Sequence, residues 1–267
     1  MGGQRRFGVP PGGAFDQESL QLANALIGNV NDVSALEIGL GSLELRAEGE
    51  IWVSVVGAPA ELVLEETAGQ RINSSFRVPK GATLHIGFPS EGSRVYLGVP
   101  GGVVNYAEGL LQSRQTDRRP ERRLAEGPSS LMSGVIRVVL GPHAETFGPS
   151  ALEGFFQVGR LLDRRGIRLS GSPLPHATSI VSEPCTPGTI QVTNDGSLLI
   201  IGPDGPTIGG YPKLAYVISA DLDRVGQLRP DDEVLVEVVS VEEARAASFA
   251  ASEKLQRLVR NLQLATR

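Results

Sequence analysis

At 267 residues the chain can bury a sizeable core as one large domain or two small ones, and a net charge of −5 argues against nucleic acid or an anionic membrane as partner. Aromatics at 5 % leave little for base stacking, and no apolar run approaches the ~20 residues that cross a bilayer. With 33 glycines, 18 prolines and many short Val/Ile/Leu runs, a turn-rich β architecture is favoured over a helical bundle.

The start, Met1 to Arg6, has no apolar signal core behind it. The stretch Arg6-Phe7-Gly8-Val9-Pro10-Pro11-Gly12-Gly13-Ala14-Phe15-Asp16 cannot be regular structure and reads as a backbone-defined loop. Asp16 is placed to cap a helix with Glu18 in its first turn, Leu20, Ala23 and Ile27 on one face, and Gly28 at its end. Gly12, Gly13 and Asp16 thus form a candidate pocket wall. As a phosphate cradle the loop is poor, because Asp16 repels anions.

From Ala35 the helical period stops. Leu43 to Ala47, Ile51 to Val56, Glu61 to Leu64, Ala82 to Ile86 and Arg94 to Val99 predict strands separated by glycine and proline turns, in an antiparallel barrel or sandwich. Trp52 reads as a core residue of that lobe. Residues 104–133 break the pattern, with Arg114, Arg118, Arg119, Arg122 and Arg123 interspersed with acids. Both charge signs predict a solvated linker between lobes, or a mobile loop over a site between them.

A second β-rich half opens with Val135 to Leu140 and a short helix around Ala151 to Phe155. Strands are predicted at 167–169, 189–192, 197–201, 214–219 and 233–239. Asn194-Asp195-Gly196 is a hairpin signal, so Asp195 reads either as a turn-maker or as an acid at the rim. Cys185, the single cysteine, excludes an internal disulfide and points to a reducing, cytoplasmic setting; beside prolines and without a nearby histidine it reads as structural. Thr207-Ile208-Gly209-Gly210-Tyr211-Pro212-Lys213, then an apolar strand ending in Ser219 and Asp221, has the layout of a small-molecule pocket at a strand rim. A glycine turn feeding a core strand, with a solvated lysine, is the plainer alternative. Ser240-Val241-Glu242-Glu243 is a capping box opening a C-terminal helix striped by Leu255, Leu258, Val259 and Leu262.

The expected plan is a β-rich lobe over 1–103, a linker or loop over 104–133, a β-barrel lobe over 134–239 and a helical tail over 240–267. His85, His143 and His176 are far apart, so no sequence-local metal site is expected. No Walker loop, GxGxxG after a strand or GxSxG elbow occurs, so ATP-driven work would take much of its nucleotide site from a partner.

Several stretches together resemble the biotin-dependent carboxyltransferase family, which includes the C component of bacterial 5-oxoprolinase, KipA-type proteins and the allophanate-hydrolase-subunit-2-like part of urea carboxylase. They are Gly8 to Asp16 with Ala23-Asn24, Ala35-Leu36-Glu37-Ile38, Val99 to Val103, Ile136 to Pro142, Pro187-Gly188-Thr189-Ile190-Gln191-Val192, Asp195-Gly196, Gly209 to Lys213 and Ser219 to Leu222. The resemblance implies a mainly β fold of two cyclophilin-like barrel lobes. It implies work beside a KipI-like B component and a larger A component, using ATP to open 5-oxoproline to glutamate, or carboxyl transfer from biotin to an amide-type small molecule. Such chemistry needs donors for a polarised oxygen, which Lys213, Tyr211 and the amides of Gly209 and Gly210 would supply, with Gln191 and Ser219 lining the site. It also needs a proton-handling acid, Asp195 or Asp221. A non-catalytic KipA-like binder of a KipI-type regulator, or a diverged inactive paralogue, is the alternative implication.

Members carry a further segment before the Gly-Val-Pro loop, so a missing first strand or a misassigned start is expected. The family's Gly-Gly-Phe-x-Gly-Arg-like stretch is replaced after Gln112-Ser113-Arg114-Gln115-Thr116 by arginines. Its Ser-Asp-Arg-Met-Gly reads Leu162-Asp163-Arg164-Arg165-Gly166, and its Arg-Gln-Thr-Thr reads Gly205-Pro206-Thr207-Ile208.

Overall fold

The computed structural model describes residues 4–30, 32–65, 70–107, 110–113, 121–131, 134–172, 174–175 and 179–264. Arg114, Arg118, Arg119 and His176 lie outside the described residues. The chain forms two compact units, one from Met1–Phe15 with Ser133–Ser252 and the other from Asp16–Met132 with Glu253–Arg267. The glycine loop through Phe15 therefore clusters with the second half of the chain.

In the Asp16–Met132 unit, helix α1 (Gln17–Leu26) starts where expected: the Asp16 carboxylate accepts from the Ser19 N–H at 2.9 Å. Strands β1 (Leu36–Ile38), β2 (Leu43–Arg46), β3 (Ile51–Gly57), β4 (Leu62–Leu64), β5 (Ser74–Val78), β6 (Thr83–Ile86), β7 (Val95–Gly98), β8 (Val103–Ala107), β9 (Leu110–Ser113) and β10 (Arg122–Arg123) follow. They form a five-stranded sheet in the order β1-β7-β3-β5-β10, a three-stranded sheet β2-β6-β4, and the pair β8-β9. Both larger sheets bury side chains in one core, Val53, Val55, Phe76, Val95 and Leu97 from the first and Leu62, Leu64, Leu84 and Ile86 from the second. Trp52 is buried, as its sequence context predicts. Helix α1 approaches β3 and β7 closely because Ser54 and Gly98 are small there; the Ser54 hydroxyl donates to the Ala23 carbonyl at 2.7 Å.

In the other unit, β11 (Val135–Leu140), β12 (Phe155–Asp163), β13 (Gly166–Ser170), β14 (Glu183–Pro184), β15 (Thr189–Val192), β16 (Leu198–Ile201), β17 (Ile208–Gly209), β18 (Lys213–Val217) and β19 (Glu233–Val238) alternate with short helical turns and α2 (Leu222–Gln227). Seven of these strands close a barrel in the order β11-β18-β15-β16-β13-β12-β19, sealed by the parallel pairing of β19 with β11. Its interior holds Ile136, Val138, Phe156, Val158, Ile167, Leu169, Ile190, Val192, Leu198, Ile200, Ala215 and Val217, all but the small Ala215 contributing on the order of 2 kcal/mol each by burial. The remaining two strands, β14 and β17, pair with each other outside the barrel.

The mainly β expectation holds. The helix predicted around Ala151 to Phe155 is instead a 3-10 turn, Pro149–Leu152; Gly154 at φ 85° ends it and Phe155 opens β12. The capping box is present: Glu243 N–H donates to Ser240 Oγ at 3.1 Å, and Ser240 N–H donates back to Glu243 at 2.8 Å, at the head of α3 (Val241–Leu264). Among the described residues, no helix is long and apolar enough to cross a membrane.

Candidate functional site

The lysine at the head of β18 is the unusual residue of the barrel unit. Strand alternation from Ala215 and Val217, both turned inward, would put Lys213 inside the barrel. A bulge prevents it. Ile190 pairs with Ala215, but the next residue, Gln191, pairs with Lys213, so Leu214 is the extra residue. Cross-strand partners share a face, and Lys213 therefore joins Gln191 and Tyr216 on the outer face, opposite the inward Ile190.

The backbone groups that the bulge releases are all satisfied. Gly141 N–H donates to the Leu214 carbonyl at 2.7 Å, and His143 N–H donates to the Lys213 carbonyl at 3.2 Å. The Lys213 N–H donates to Nδ1 of His143 at 3.1 Å, which places the imidazole proton of neutral His143 on Nε2. Gly141 is required here, because a Cβ would sit 2.5 Å from the Lys213 carbonyl oxygen.

This outer face is not open sheet. Chain 180–185 crosses it: Ile180 N–H donates to the Gly210 carbonyl at 2.8 Å, Glu183 pairs with Gly209, and Cys185 N–H donates to the Thr207 carbonyl at 2.8 Å. The Arg5 guanidinium donates to the Cys185 carbonyl, and its Nε is buried with no partner among the described residues. Gln191 Nε2 donates to Cys185 Sγ at 3.3 Å and to the Tyr211 carbonyl at 3.4 Å.

Lys213 is consequently buried to 1 % exposure. Its ammonium donates to Glu183 at 2.6 Å, its sole hydrogen-bond partner among the described residues. An ammonium carries three donors, so two N–H bonds are available to an incoming oxygen. The Lys213 hydrogen bond holds the Glu183 carboxyl below the usual range. Burial pushes the Cys185 thiol up against the opposing pull of Lys213 and Arg5, leaving it a weak nucleophile at neutral pH.

Of the residues singled out in the sequence, Lys213, Gln191, Gly209, Gly210 and Tyr211 come together here. The glycine pair admits the chain's own groups: a Cβ on Gly209 would meet Gln191 Nε2 at 2.9 Å and Cys185 Sγ at 3.1 Å, and one on Gly210 the Ile180 carbonyl at 3.2 Å. Gly12 and Gly13 belong to the same unit but are held elsewhere. Gly12 N–H donates to the Pro203 carbonyl at 3.0 Å, and Arg164 joins the Gly13 carbonyl at 2.6 Å to Asp204 at 2.7 Å.

Four residues have other tasks. Asp195 turns the hairpin: Thr193 and Ser197 donate to its carboxylate, which depresses its pKa strongly and makes it a poor base. Asp221 is fully buried and takes a bidentate grip on Arg137, at 2.9 and 2.7 Å. Ser219 is exposed at a 3-10 turn. Asp16 lies in the other unit, buried under Ser19, Ser130 and Tyr96 hydrogen bonds. Sequence reading missed Glu183 and Arg5; the available signal was that a lysine heading an apolar strand needs a carboxylate if buried. An apolar cleft of about 520 Å³ adjoins through Leu214, with Leu140, Ala144, Leu152 and Val238 around it. Among the described residues no cluster of metal ligands occurs.

The family description "carboxyltransferase domain, subdomain A and B" matches residues 7–122 and 110–237. The chain is similar to the C component of 5-oxoprolinase from Escherichia coli, at 30 % identity over 92 % of this chain and 88 % of that protein. It is also similar to urea amidolyase of Saccharomyces cerevisiae, at 29 % identity over 91 % of this chain but 16 % of that one. The crystal structure of TTHA0988 superposes with a TM-score of 0.77 at 29 % identity, covering 89 % of this chain and 52 % of that one. The chain thus spans about half of the TTHA0988 chain.

Proposed function

From the premise that this chain belongs to the carboxyltransferase domain family, we propose that it is the C component of an ATP-dependent 5-oxoprolinase, or of a related carboxyltransferase acting on an amide-type small molecule. The observation that carries this reading is the buried Lys213 ammonium with two uncommitted donors. Opening a lactam breaks its C–N bond after attack on the carbonyl, and negative charge builds on the carbonyl oxygen. Carboxyl transfer to an amide nitrogen builds charge on the transferred group's oxygens in the same way. A cation fixed in a water-poor setting stabilises either. Gln191, held by Cys185 and Tyr211, lines the approach, and Nε2 of His143 is the neighbouring group able to hold or move a proton.

The donor set fits a carboxylate or ureido oxygen. A carboxybiotin brought by a partner would supply an activated carboxyl group, with Lys213 holding its oxygen. A triphosphate does not fit the glycine loop: Gly12 N–H is spent on Pro203, and Asp204 stands beside it. ATP therefore belongs to the partner proteins, a KipI-like B component and an A component, in a cytoplasmic assembly. Lys213 already holding Glu183 favours a second reading, a KipA-like binder without turnover.

Reconstitution separates them. With homologues of the A and B components present, ATP-dependent release of glutamate from 5-oxoproline is expected; partner binding without glutamate release or carboxyl transfer would leave the binder.

A further inference from the structure

The Lys213–Glu183 pair is lopsided. The lysine side chain is 2 % exposed and the glutamate 44 %, so the cation is fixed in the protein and the anion approaches from the solvent side. The short strand β14 that carries Glu183 is anchored on both sides, by Ile180 N–H on the Gly210 carbonyl and Cys185 N–H on the Thr207 carbonyl, so the part-exposed side chain rather than the backbone is what can swing outward. Asp221 shows the contrasting arrangement, a carboxylate at 0 % exposure gripped by Arg137 and fixed for good. A buried ammonium with one counter-ion cannot simply lose it, since an uncompensated charge in that setting is strongly unfavourable. Another anion of similar shape can replace it.

We infer that Glu183 is a displaceable internal occupant, a carboxylate that keeps Lys213 until a small carboxylate-bearing ligand takes its place on the ammonium. This deepens the proposed function by naming the ligand class, small carboxylates, and it rests on Lys213 being the oxygen-holding group. Displacement needs only side-chain rotation of Glu183 outward, with Arg5, Cys185 and Gln191 left where they are. Glu183 thereby sets a threshold: a neutral ligand gains less from Lys213 in replacing it than a carboxylate, which exchanges like for like.

The test is thermal unfolding of the whole chain in sodium formate against sodium chloride at equal ionic strength, without partner proteins. In Glu183→Gln the internal competitor is gone, and formate at about tenfold its Kd is expected to raise Tm by about 4 °C over chloride. Wild type should shift by less than about 1 °C, and a Lys213→Met, Glu183→Gln double variant should show no difference between the salts. Should Glu183→Gln fail to fold even in formate, Glu183→Asp, which withdraws the carboxylate by one methylene, is expected to give an intermediate formate shift. A folded Glu183→Gln that responds equally to both salts overturns the inference, as does a formate shift surviving in the double variant or absent in a Glu183→Asp used in its stead. Formate binding without turnover in the reconstituted complex would retain the latch and remove the enzyme reading. Turnover with no formate response in Glu183→Gln would do the reverse.

Discussion

The role proposed for Lys213 rests on three neighbours that decide its position, with Glu183 the one hydrogen-bond partner of its ammonium among the described residues. His143 fixes the backbone on one side, Gln191 lies across the strand, and the 180–185 segment excludes water above it. Asp195 is the useful contrast. Its pKa lies below that of an unfolded aspartate, so its contribution to stability is fully present above about pH 4 and is lost as pH falls through the lower folded value. Asp195→Asn should therefore flatten the acid limb of the stability curve while leaving turnover at pH 7 unchanged. Chemical denaturation between pH 2 and 6 reads the first and the reconstituted assay the second; a large loss of turnover would return Asp195 to the site. Asp221→Asn strands Arg137, itself part-exposed, and should cost about 2–3 kcal/mol in denaturant melts without a specific effect on substrate affinity.

At the scale of elements, the site depends on a bulge and on a strand too short to be noticed. The strands around Leu43, Ile51, Ala82, Arg94 and Val135 were legible because alternating apolar runs end at glycine or proline. Strand β5, Ser-Ser-Phe-Arg-Val, was not, since serines hold buried positions whose partners the sequence does not show: Ser74 Oγ donates to the Arg71 carbonyl at 2.5 Å, and Ser75 Oγ accepts from the distant Arg122 N–H at 3.0 Å. The Gly209-Gly210-Tyr211-Pro212-Lys213 stretch stood out as a site, yet alternation alone aims Lys213 into the barrel. Only the pairing with β15 reveals the extra residue that turns it outward. Glu183 had no signal beyond being an acid in an irregular segment, since its partner is thirty residues away. Gly141→Ala tests the bulge. Its Cβ would press on the Lys213 carbonyl, which cannot yield without moving β18, so a loss of about 1–3 kcal/mol in stability and a fall in kcat are expected. An alanine variant with unchanged Tm and kcat would show that the bulge is not under that constraint.

For the whole molecule, two units of different architecture make up the chain, one built on a closed barrel and bearing Lys213, the other built on two open sheets and a further strand pair and bearing Asp16. Family membership was legible from the joint resemblance of several motifs, such as Gly8 to Asp16, Ala35 to Ile38 and Gly209 to Lys213, to those of a known family. The unit boundary after Phe15 was not, since nothing local shows that a loop joins strands more than a hundred residues later. The proposed division of labour with partner proteins predicts that millimolar Mg-ATP leaves the Tm of the isolated chain unchanged, a differential-scanning experiment that a clear rise would contradict.

The most direct measurement is kcat/KM for the reconstituted complex carrying Lys213→Met, which keeps the side chain's length and removes its charge. Loss of one preorganised oxyanion donor predicts a fall of about 100- to 1,000-fold, with partner binding retained. Wild-type kcat/KM in that variant would contradict the assignment of the buried ammonium.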